Sequence, residues 1–262
     1  MKVTDIRSCY IGPEISPEQF IAEHIFLYLA KGRINGYDGN TKQTLNAGEY
    51  HLLVKNRLAR YSKEKIENEF EKVVIIFDEV FLKKFQEKHG PTVVKHRSEK
   101  AFLKLDESEL IPNFVRSLAP YYNGSGKIDK AFADIKREEL LIILLKNRPE
   151  LTGIFFDFGI PEKINLEGFM NKNFKFNVSI QRLAYMTGRS LSAFKRDFKE
   201  IFNETPKRWL VQKRLQEAHF LIDKKKKRPT DIYLELGFQD LSHFSYAFKK
   251  QFGLAPTELS NK

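Results

Sequence analysis

One pattern occurs twice near the C-terminus of the chain, and it restricts the possible folds of this region more than any other feature. The first copy, LAYMTGRSLSAFKRDFKEIF, begins at Leu183, and the second, IYLELGFQDLSHFSYAFKKQF, begins at Ile232. Each copy predicts two short helices joined by a turn that contains glycine. The later parts align without a gap at an offset of 50 residues, and the matched pairs are Leu191/Leu241, Ser192/Ser242, Phe194/Phe244, Phe198/Phe248, Lys199/Lys249, Phe202/Phe252 and Pro206/Pro256. The repeat therefore predicts a helical domain with two helix-turn-helix motifs.

The excess of basic over acidic residues is concentrated in the same region. The formal net charge is +11. Residues 161–262 contain 20 Lys or Arg and 11 Asp or Glu, which leaves an excess of only +2 for residues 1–160. An excess of positive charge attracts a polyanion, and phosphate neutralisation supplies most non-specific affinity for DNA. The five consecutive cations at residues 224–228 lie next to Pro229, a pattern typical of a solvated loop between helices.

Composition limits the other classes of protein. Hydrophobic residues make up 42% of the 262 residues and aromatic residues 13%, enough for the cores of one large domain or two smaller ones. The single cysteine, Cys9, excludes an internal disulfide and a cysteine-based zinc site, which favours a reducing compartment. The N-terminus lacks the pattern of a signal peptide, and the most apolar stretch, residues 140–145, is shorter than the ~20 residues that span a bilayer. We therefore expect a soluble, cytoplasmic protein without a membrane partner.

The N-terminal part of the chain has two successive patterns. Over roughly the first 95 residues, short apolar or alternating segments (IFLYLAKG, YHLLVKN and KVVIIF) are separated by turn-rich stretches. This spacing predicts a small antiparallel β-barrel or sandwich. Residues 106–122 and 127–146 then have apolar side chains at helical spacing, so two helices are expected after the barrel.

The end of the second of these helices is apolar on almost every side. Its sequence, LLIILL, must be buried on more than one face, either within its own domain or against a partner chain. A second copy of this chain is the simplest such partner. A homodimer formed in this way would use Leu140, Leu141, Leu144 and Leu145.

The first copy of the repeat can be assigned in detail. Ser179 is placed to cap a helix over Ile180–Met186, and Gly188 can take the left-handed conformation that ends it. Ser190 is placed to cap the next helix, Leu191–Phe202. The buried stripe of that helix is expected to consist of Phe194, Phe198 and Phe202. Its opposite face is polar and cationic, as a recognition helix requires.

The second copy repeats this arrangement with one extra residue in its turn. Gly237 ends its first helix, and Asp240 caps the second, Leu241–Phe252. Between the copies, Pro206–Asp223 predicts one helix about 27 Å long, at ~1.5 Å per residue. Two recognition helices at such a separation can enter successive major grooves, which are ~34 Å apart on one face of the duplex.

The second copy also carries a longer signature. The spacing I-x-x-x-x-G-F-x-D-x-S-x-F-x-x-x-F-K-K-x-F-G-x-x-P runs from Ile232 to Pro256. It resembles the signature of AraC/XylS-type transcription regulators, and the resemblance extends over residues 164–259. Upstream, LNAGEYHLLVKNRLARY resembles the cupin-like sensory barrel that many members carry, and the two following helices resemble their dimerisation element.

The resemblance implies a two-domain α+β protein. A cupin-like sensory and dimerisation domain would span residues 1–150, with a small antiparallel β-barrel at about 1–95 and two helices at about 106–146. A linker at residues 151–162 would lead to an all-α domain at residues 163–262, with two helix-turn-helix motifs joined by a long helix. The implied function is that of a sequence-specific DNA-binding transcription activator controlled through its N-terminal domain. The implied partners are double-stranded DNA, a second copy of the chain, RNA polymerase, and a small-molecule effector or a regulatory protein.

Family members read the major groove with the outward residues of both recognition helices. By position, this implies base reading by Ser192, Lys195, Arg196, Ser242, His243, Ser245 and Tyr246. The residues expected to contact phosphates are Ser190, Lys199, Lys207, Arg208 and Lys249. Two positions depart from the family: Tyr233 replaces a small alanine, and Tyr246 replaces a frequent arginine and cannot make a bidentate contact with guanine. We therefore expect the first motif to contribute more base specificity than the second.

The patterns of common enzymes and metal sites are absent from the sequence. Its six histidines include no pair at H-x-H or H-x-x-x-H spacing, and His51, in the region where cupins place metal ligands, is more consistent with an ordinary strand residue. There is no phosphate-binding glycine loop and no G-x-S-x-G nucleophile elbow, and Cys9 has no fixed partner. We expect neither an enzyme nor a bound metal or cofactor.

Two questions stay open at the level of sequence. Aromatic residues of the N-terminal domain either line an effector pocket or simply fill the barrel; these are Phe20, Phe26, Tyr28, Tyr37 and Tyr50. The chain could also be an adaptor or architectural protein whose helical domain binds a protein partner. Salt dependence separates the two functions, because DNA binding through several phosphates weakens steeply with salt and an apolar protein interface does not.

Overall fold

The computed structural model describes residues 9–11, 18–96, 98–121 and 128–260. The chain divides into two compact units, Met1–Gly159 and Ile160–Lys262. The first contains strands and helices and the second is helical, which confirms the α+β class. None of the helices in the described part of the chain combines the length and the apolar character that crossing a bilayer requires.

The first unit is built on short strands. The strands in its described residues are β1 (Cys9–Ile11), β2 (Phe20–Ile21), β3 (His24–Lys31), β4 (Arg33–Tyr37), β5 (Lys42–Asn46), β6 (Tyr50–Leu53), β7 (Arg57–Leu58), β8 (Arg60–Glu64), β9 (Glu71–Phe77) and β10 (Phe102–Lys104). They form a five-stranded sheet in the order β1-β9-β3-β6-β10, a three-stranded sheet in the order β5-β4-β8, and the pair β2-β7. All pairs are antiparallel except β1 with β9. In the described part of the chain these strands form separate sheets and do not close into a barrel, which agrees with the sandwich that the sequence left as the alternative.

The five-stranded sheet is buried on both faces, which explains the continuous apolar runs in β3 and β9. Phe26 and Tyr28 lie in the core that the helices cover. Leu27 and Leu29 point the opposite way, into a second core shared with Ile34 of the three-stranded sheet. Because successive side chains of a strand alternate between faces, a strand covered on both sides must be apolar throughout. The result is a layered sandwich of sheet, sheet and helices.

The described residues of the first unit also form four α-helices, and two of them, over Glu79–His89 and Thr152–Phe155, were not expected from the sequence. They are α1 (Glu79–His89), α2 (Leu110–Ser117), α3 (Lys130–Asn147) and α4 (Thr152–Phe155), with short 3-10 turns at Ala119–Tyr121 and Pro149–Leu151. The helix α1 lies within the region predicted to contain strands alone, so that part of the prediction is wrong. The predicted helix limits Tyr122 and Lys127 lie outside the described residues.

The helix α1 begins directly after β9, because Asp78 provides a cap. Its carboxylate accepts a hydrogen bond from the Phe81 N–H at 3.0 Å, and Gly90 ends the helix with a φ of 54°. The guanidinium of Arg137 on α3 donates to the other oxygen of Asp78 and lies 4.0 Å from the centre of the Phe81 ring. Burial alone would raise the pKa of Asp78, but the hydrogen bonds from Phe81 and Arg137 lower it. The cap of α1 is therefore also its attachment to α3.

The leucines predicted to form a dimer interface lie largely inside the first unit. Leu140 and Leu141 are 0% exposed and Leu144 is 2% exposed, in the same core as β3 and β9, and Leu145 is half-buried against it. These side chains already have apolar neighbours in their own chain. The prediction that they require a second copy is therefore wrong, and the intramolecular alternative explains the apolar run.

The predicted linker at residues 151–162 is not a linker along its whole length. Leu151 and Phe155 are 0% exposed and Phe156 is 7% exposed, packed in the helix-side core of the first unit. Gly153 allows this packing, because a Cβ there would lie 2.1 Å from the carbonyl oxygen of Val94. Only the stretch from Asp157 to the beginning of the next helix lacks regular structure.

The second unit contains the helices of the repeat. They are α5 (Leu166–Asn173), α6 (Ile180–Met186), α7 (Leu191–Phe202), α8 (Pro206–Asp223), α9 (Pro229–Ile232), α10 (Leu241–Phe252) and α11 (Pro256–Ser260). The bounds predicted for α6, α7, α8 and α10 are confirmed. Two apolar cores form, one around Phe194 and Phe198 and the other around Phe244 and Phe248. Each helix-turn-helix motif thus has its own core, and α8 contributes side chains to both.

Candidate nucleic-acid interface

The helix α7 presents a polar face that is fixed by local interactions. The Ser190 hydroxyl accepts a hydrogen bond from the Ala193 N–H at 3.2 Å and caps the helix. Phe194 and Phe198 are 0% exposed and hold the helix to its core. The opposite side carries three exposed residues predicted to read bases, Ser192, Lys195 and Arg196. A hydroxyl group and two cations on one outward face match the requirements of major-groove recognition.

An ion network holds α7 against the preceding turn. The Arg189 guanidinium donates to the Asp197 carboxylate at 3.0 Å and to the carbonyl oxygens of Ile164 and Thr187 at 2.9 and 2.7 Å. Asp197 also lies 3.2 Å from the guanidinium of Arg196. The hydrogen bond from Arg189 is the main cause of the lowered pKa of Asp197, so this carboxylate is charged at neutral pH. The network fixes the turn of the first motif. Arg196 joins the network through its ion pair with Asp197, and its side chain remains exposed.

The helix α10 repeats the geometry of α7 with different surface chemistry. The Asp240 carboxylate accepts from the His243 N–H at 2.6 Å, and Phe244 and Phe248 are 0% exposed. Among the residues predicted to read bases, Ser242, His243 and Tyr246 are exposed, whereas Ser245 is half-buried. Tyr246 is 68% exposed. This face offers hydroxyl and imidazole groups but places its cations, Lys249 and Lys250, in its last turn.

The residues predicted to contact phosphates are exposed. They are Ser190, Lys199, Lys207, Arg208 and Lys249. Ser190 also caps α7, and Arg208 pairs with Glu204 at 3.2 Å on the surface. Ion pairs of this exposed kind are weak, so a phosphate can replace the carboxylate. The predicted contacts are therefore sterically available on both motifs.

A buried arginine on α8 joins the two motifs. Arg214 is 8% exposed and donates to three backbone carbonyl oxygens, those of Phe174 at 2.7 Å, Phe176 at 2.8 Å and Gly237 at 2.9 Å. The first two precede α6 of the first motif, and the third lies in the turn of the second motif. Burial lowers the pKa of the guanidinium to about 10, which leaves it charged at neutral pH. One side chain therefore fixes both motifs to the same point of the connecting helix.

The glycine in the second turn is required by this contact. Gly237 has a φ of 86°, and a Cβ at this position would lie 2.7 Å from the Lys175 carbonyl oxygen and 2.9 Å from Cζ of Arg214. The first helix of this motif, α9, ends at Ile232 and is shorter than α6 of the first motif. Tyr233, at the position expected to hold a small residue, follows α9 and is half-buried against the second core. The two motifs thus differ in their first helix as well as in their outward faces.

Sequence reasoning did not identify Arg189, Asp197 and Arg214. A signal for Arg214 is present, since this cation lies four residues after Leu210 and four before Ala218 on the buried stripe of α8. A charged residue on such a stripe indicates a buried polar contact. Its acceptors are backbone atoms far away in the sequence, so the pattern could not name them. The described residues also contain no group of three or more potential metal ligands close enough to hold an ion.

A cavity of about 370 Å³ lies in the first unit between the five-stranded and three-stranded sheets. Its apolar lining includes Leu27, Ile34 and Val74, and Lys72 is among its polar lining residues. Of the five aromatic residues predicted to line a pocket, Phe20 alone lines this one. Phe26, Tyr28 and Tyr50 lie in the core on the opposite face of the five-stranded sheet. The structure therefore favours the alternative in which most of these aromatic residues fill the core, and an alternating strand pattern does not by itself tell which face adjoins a cavity.

Family models match both units of the chain. A model described as the ExsA N-terminal regulatory domain matches residues 24–154, which is half of the chain. A model described as a helix-turn-helix domain matches residues 183–262. The first match falls in the unit with the sheets and the cavity, and the second covers both recognition helices.

Curated relatives are transcription regulators. The virulence regulon transcriptional activator VirF of Yersinia enterocolitica is 24% identical over 185 residues, 68% of this chain and 68% of that protein. The thermoregulatory protein LcrF of Yersinia pestis is 30% identical over 98 residues, 37% of this chain and 36% of that protein. A crystal structure of an apo ToxT variant from Vibrio cholerae aligns over 98% of this chain and 95% of that chain at 16% identity, with a TM-score of 0.44.

The contact of Arg214 predicts a specific loss of stability. Arg214→Met keeps most of the apolar stem and removes the hydrogen bonds of the guanidinium to three buried carbonyl oxygens. We expect the free energy of unfolding of the second unit to fall by about 2–4 kcal/mol, because each unsatisfied buried acceptor costs ~1–3 kcal/mol before relaxation. The measurement is urea unfolding followed by the fluorescence of Trp209, the single tryptophan of the chain.

The matched control is Arg208→Met, on the same helix but with its side chain 71% exposed. It should cost roughly 0.5 kcal/mol or less. Arg214→Lys should lie between the two methionine variants, since an ammonium group has no planar fork with which to reach three acceptors. Equal losses in the two methionine variants would show that Arg214 does not hold the motifs together.

Proposed function

The chain belongs to the AraC/XylS family of transcription regulators and is a sequence-specific DNA-binding protein with an N-terminal regulatory domain, and we propose that it reads two successive major grooves with α7 and α10. The observation that carries this proposal is the pair of exposed polar faces on helices whose opposite faces are buried. An adaptor function would not require two such faces in a duplicated arrangement.

The connecting helix supports binding at two grooves. The 18 residues of α8 give a length of about 27 Å at ~1.5 Å per residue, on the scale of the ~34 Å that separates successive major grooves on one face of DNA. Arg214 restrains both motifs against this helix. A protein whose two recognition helices are held in this way binds both grooves without first ordering them, which saves entropy on binding.

The two recognition helices have unequal roles in this proposal. The first offers Lys195 and Arg196 for guanine, together with Ser192. The second offers Ser242, His243 and Tyr246, none of which makes the bidentate contact of arginine with guanine. We assign most base reading to α7, whereas α10 mainly sets the register of the protein along the duplex. The phosphate contacts are assigned to Ser190, Lys199, Lys207, Arg208 and Lys249.

The function is tested by removing the strongest candidate for base reading. The preferred site is first identified by mapping the genomic DNA fragments that the purified protein binds. Arg196→Ala should then weaken binding to this site by about 1–3 kcal/mol and relax its sequence preference, because one bidentate contact is lost. Arg196→Lys keeps the charge but should lose most of the preference, since lysine lacks the planar fork.

The readout is the ratio of affinities for the preferred site and a scrambled duplex of equal length, at one salt concentration. An equal loss on both duplexes would mean that Arg196 contacts only phosphate. A wild-type protein with no preferred site, and with affinity that does not fall with salt, would favour the adaptor function instead.

We further propose that the chain is a homodimer in which the outer face of α3 takes part. Phe132 and Ile135 on this helix are 44% and 61% exposed, and the centre of the Phe132 ring lies 4.9 Å from that of the Tyr121 ring. Large apolar side chains close together on a helix surface are typical of an interface. A dimer would also place two double motifs on one DNA site.

The combined variant Phe132→Glu, Ile135→Glu should be monomeric under conditions in which the wild type sediments as a dimer. The substitutions add charge to an apolar interface without touching the core. Val80→Glu is the control, since Val80 is 66% exposed on α1 of the same unit and should leave the dimer intact. A monomeric wild type, or a dimer in the double variant, would contradict this interface.

We propose that the N-terminal unit controls the activator through a small effector or a regulatory protein, with the protein acting on RNA polymerase in the cytoplasm and having no catalytic activity. The cavity of about 370 Å³ and its mainly apolar lining support a small apolar ligand with a polar group. In a thermal-shift screen of the full chain, a true effector should raise the Tm of the wild type but not of a Val74→Trp variant, in which the cavity is filled. A broad panel without any hit would favour the regulatory protein.

A further inference from the structure

The loop between α8 and α9 contains five consecutive cations, Lys224 to Arg228, and all are exposed. Its conformation is defined: the Lys227 N–H donates to the Leu221 carbonyl oxygen at 3.0 Å, and Lys226 has a φ of 49°. The loop therefore turns back on the end of α8. It holds several like charges within a few residues, which is electrostatically unfavourable in the absence of an anion.

The ends of this loop form ion pairs within the chain, whereas Lys225 in its middle lies over an aromatic ring, with its Nζ 6.0 Å from the centre of the Phe220 ring. Lys224 pairs with Asp223 at 2.9 Å, and Arg228 pairs with Asp231 at 2.9 Å. Among the described residues, no carboxylate lies within 4.0 Å of the ammonium groups of Lys225, Lys226 or Lys227. Three adjacent ammonium groups thus remain available to an external anion.

The position of the loop relates it to DNA. It leads directly into α9, the first helix of the second helix-turn-helix motif. In such motifs the first helix crosses the phosphate backbone when the second helix lies in the major groove. If α10 enters a groove, the chain that precedes α9 lies beside the backbone at the edge of that groove.

Most of α10, the recognition helix of the second motif, carries no cation that could attract a phosphate. The first motif has cations at three positions of α7, which are Lys195, Arg196 and Lys199. On α10 the cations are confined to Lys249 and Lys250 in its last turn. Phosphate neutralisation supplies much of the affinity of a DNA-binding protein, so the second motif needs positive charge from elsewhere.

We propose that Lys225, Lys226 and Lys227 bind DNA backbone phosphates at the edge of the groove that α10 enters. The loop holds the second motif on the duplex, and the outward face of α10 is left free to contact bases through uncharged groups. This inference rests on the proposed binding of two successive grooves. It differs from the interpretation of the run as a solvated loop, which predicts no contribution to DNA binding beyond net charge.

The test is the salt dependence of DNA binding by a triple variant, Lys225→Gln, Lys226→Gln, Lys227→Gln. Each lost phosphate contact lowers the slope of log Kobs against log salt by ~0.9, so we expect the slope to become shallower by about 2–3. Affinity at low salt should fall by a similar factor on the preferred site and on a scrambled duplex. The ratio between the two sites should stay unchanged, since phosphate contacts carry no sequence information.

The control variant removes the same charge from the first unit, at the exposed residues Lys84, Lys95 and Lys100. Its slope should stay close to that of the wild type. Phosphate ethylation interference gives a second readout: the wild type should show interference at the edge of the second groove, and the triple variant should not.

The outcomes separate this inference from the proposed function. An unchanged slope in the triple variant, or an equal change in the control, would overturn the inference while sequence-specific binding by the wild type stands. A wild type that prefers no sequence would overturn the proposed function first. Thermal unfolding of both variants confirms that any loss does not come from misfolding, because all six substituted residues are exposed.

Discussion

The arrangement of the DNA-binding unit depends on the guanidinium of Arg214. Burial of a cation is costly unless its donors are satisfied, and here the three nitrogens of the group each meet a backbone carbonyl oxygen. Two of these oxygens belong to the segment that leads into the first motif, and one belongs to the turn of the second. Because backbone atoms are the acceptors, the contact fixes the course of the chain and not merely a side chain.

The two motifs that Arg214 joins have the same fold, but the surface residues of their recognition helices differ. In both, phenylalanines four residues apart bury one face of the recognition helix, and a polar residue caps its start. The outward faces differ: α7 carries Lys195, Arg196 and Lys199 interspersed with Asp197 and Glu200, whereas the charged residues of α10, Lys249 and Lys250, are confined to its last turn. The loop before α9, with Lys225, Lys226 and Lys227, adds positive charge to the second motif at a place where it can contact the DNA backbone but not the bases. In the second motif, the loop attracts DNA phosphates and α10 contacts bases, whereas in the first motif α7 does both.

The N-terminal unit is organised by a different constraint, the burial of one sheet on both faces. Its five-stranded sheet separates a core shared with the helices from a core shared with the three-stranded sheet. The cavity lies on the second side, so a ligand there would contact strands and would not touch α3, the helix that carries Phe132 and Ile135.

Much of the C-terminal unit could be predicted because its signals are local. The caps Ser179, Ser190 and Asp240 and the phenylalanine spacing define helices within a few residues, so the bounds of α6, α7, α8 and α10 are confirmed. The outward positions of the recognition helices followed from the same spacing.

The N-terminal unit was harder to predict because its determinants are distant in sequence. The strand β9 runs into α1 with only Asp78 between them, and the partner of Asp78 is Arg137, on α3. The leucines of α3 looked like an interface because the sequence does not show that β9 and α2 pack against this helix. For the same reason, the acceptors of Arg214 and the face of the sheet that borders the cavity could be found only in three dimensions.

The central claim is that α7 reads bases more strongly than α10 while both lie in major grooves of one duplex. Methylation of guanine N7 in the preferred site, followed by separation of bound and free DNA, tests it directly. Interference should occur in two segments about one helical turn apart, ~10 base pairs. It should be strong in the segment where Arg196→Ala abolishes the interference, and weak in the other segment. Interference of equal strength in both segments, or in a single segment alone, would contradict the claim.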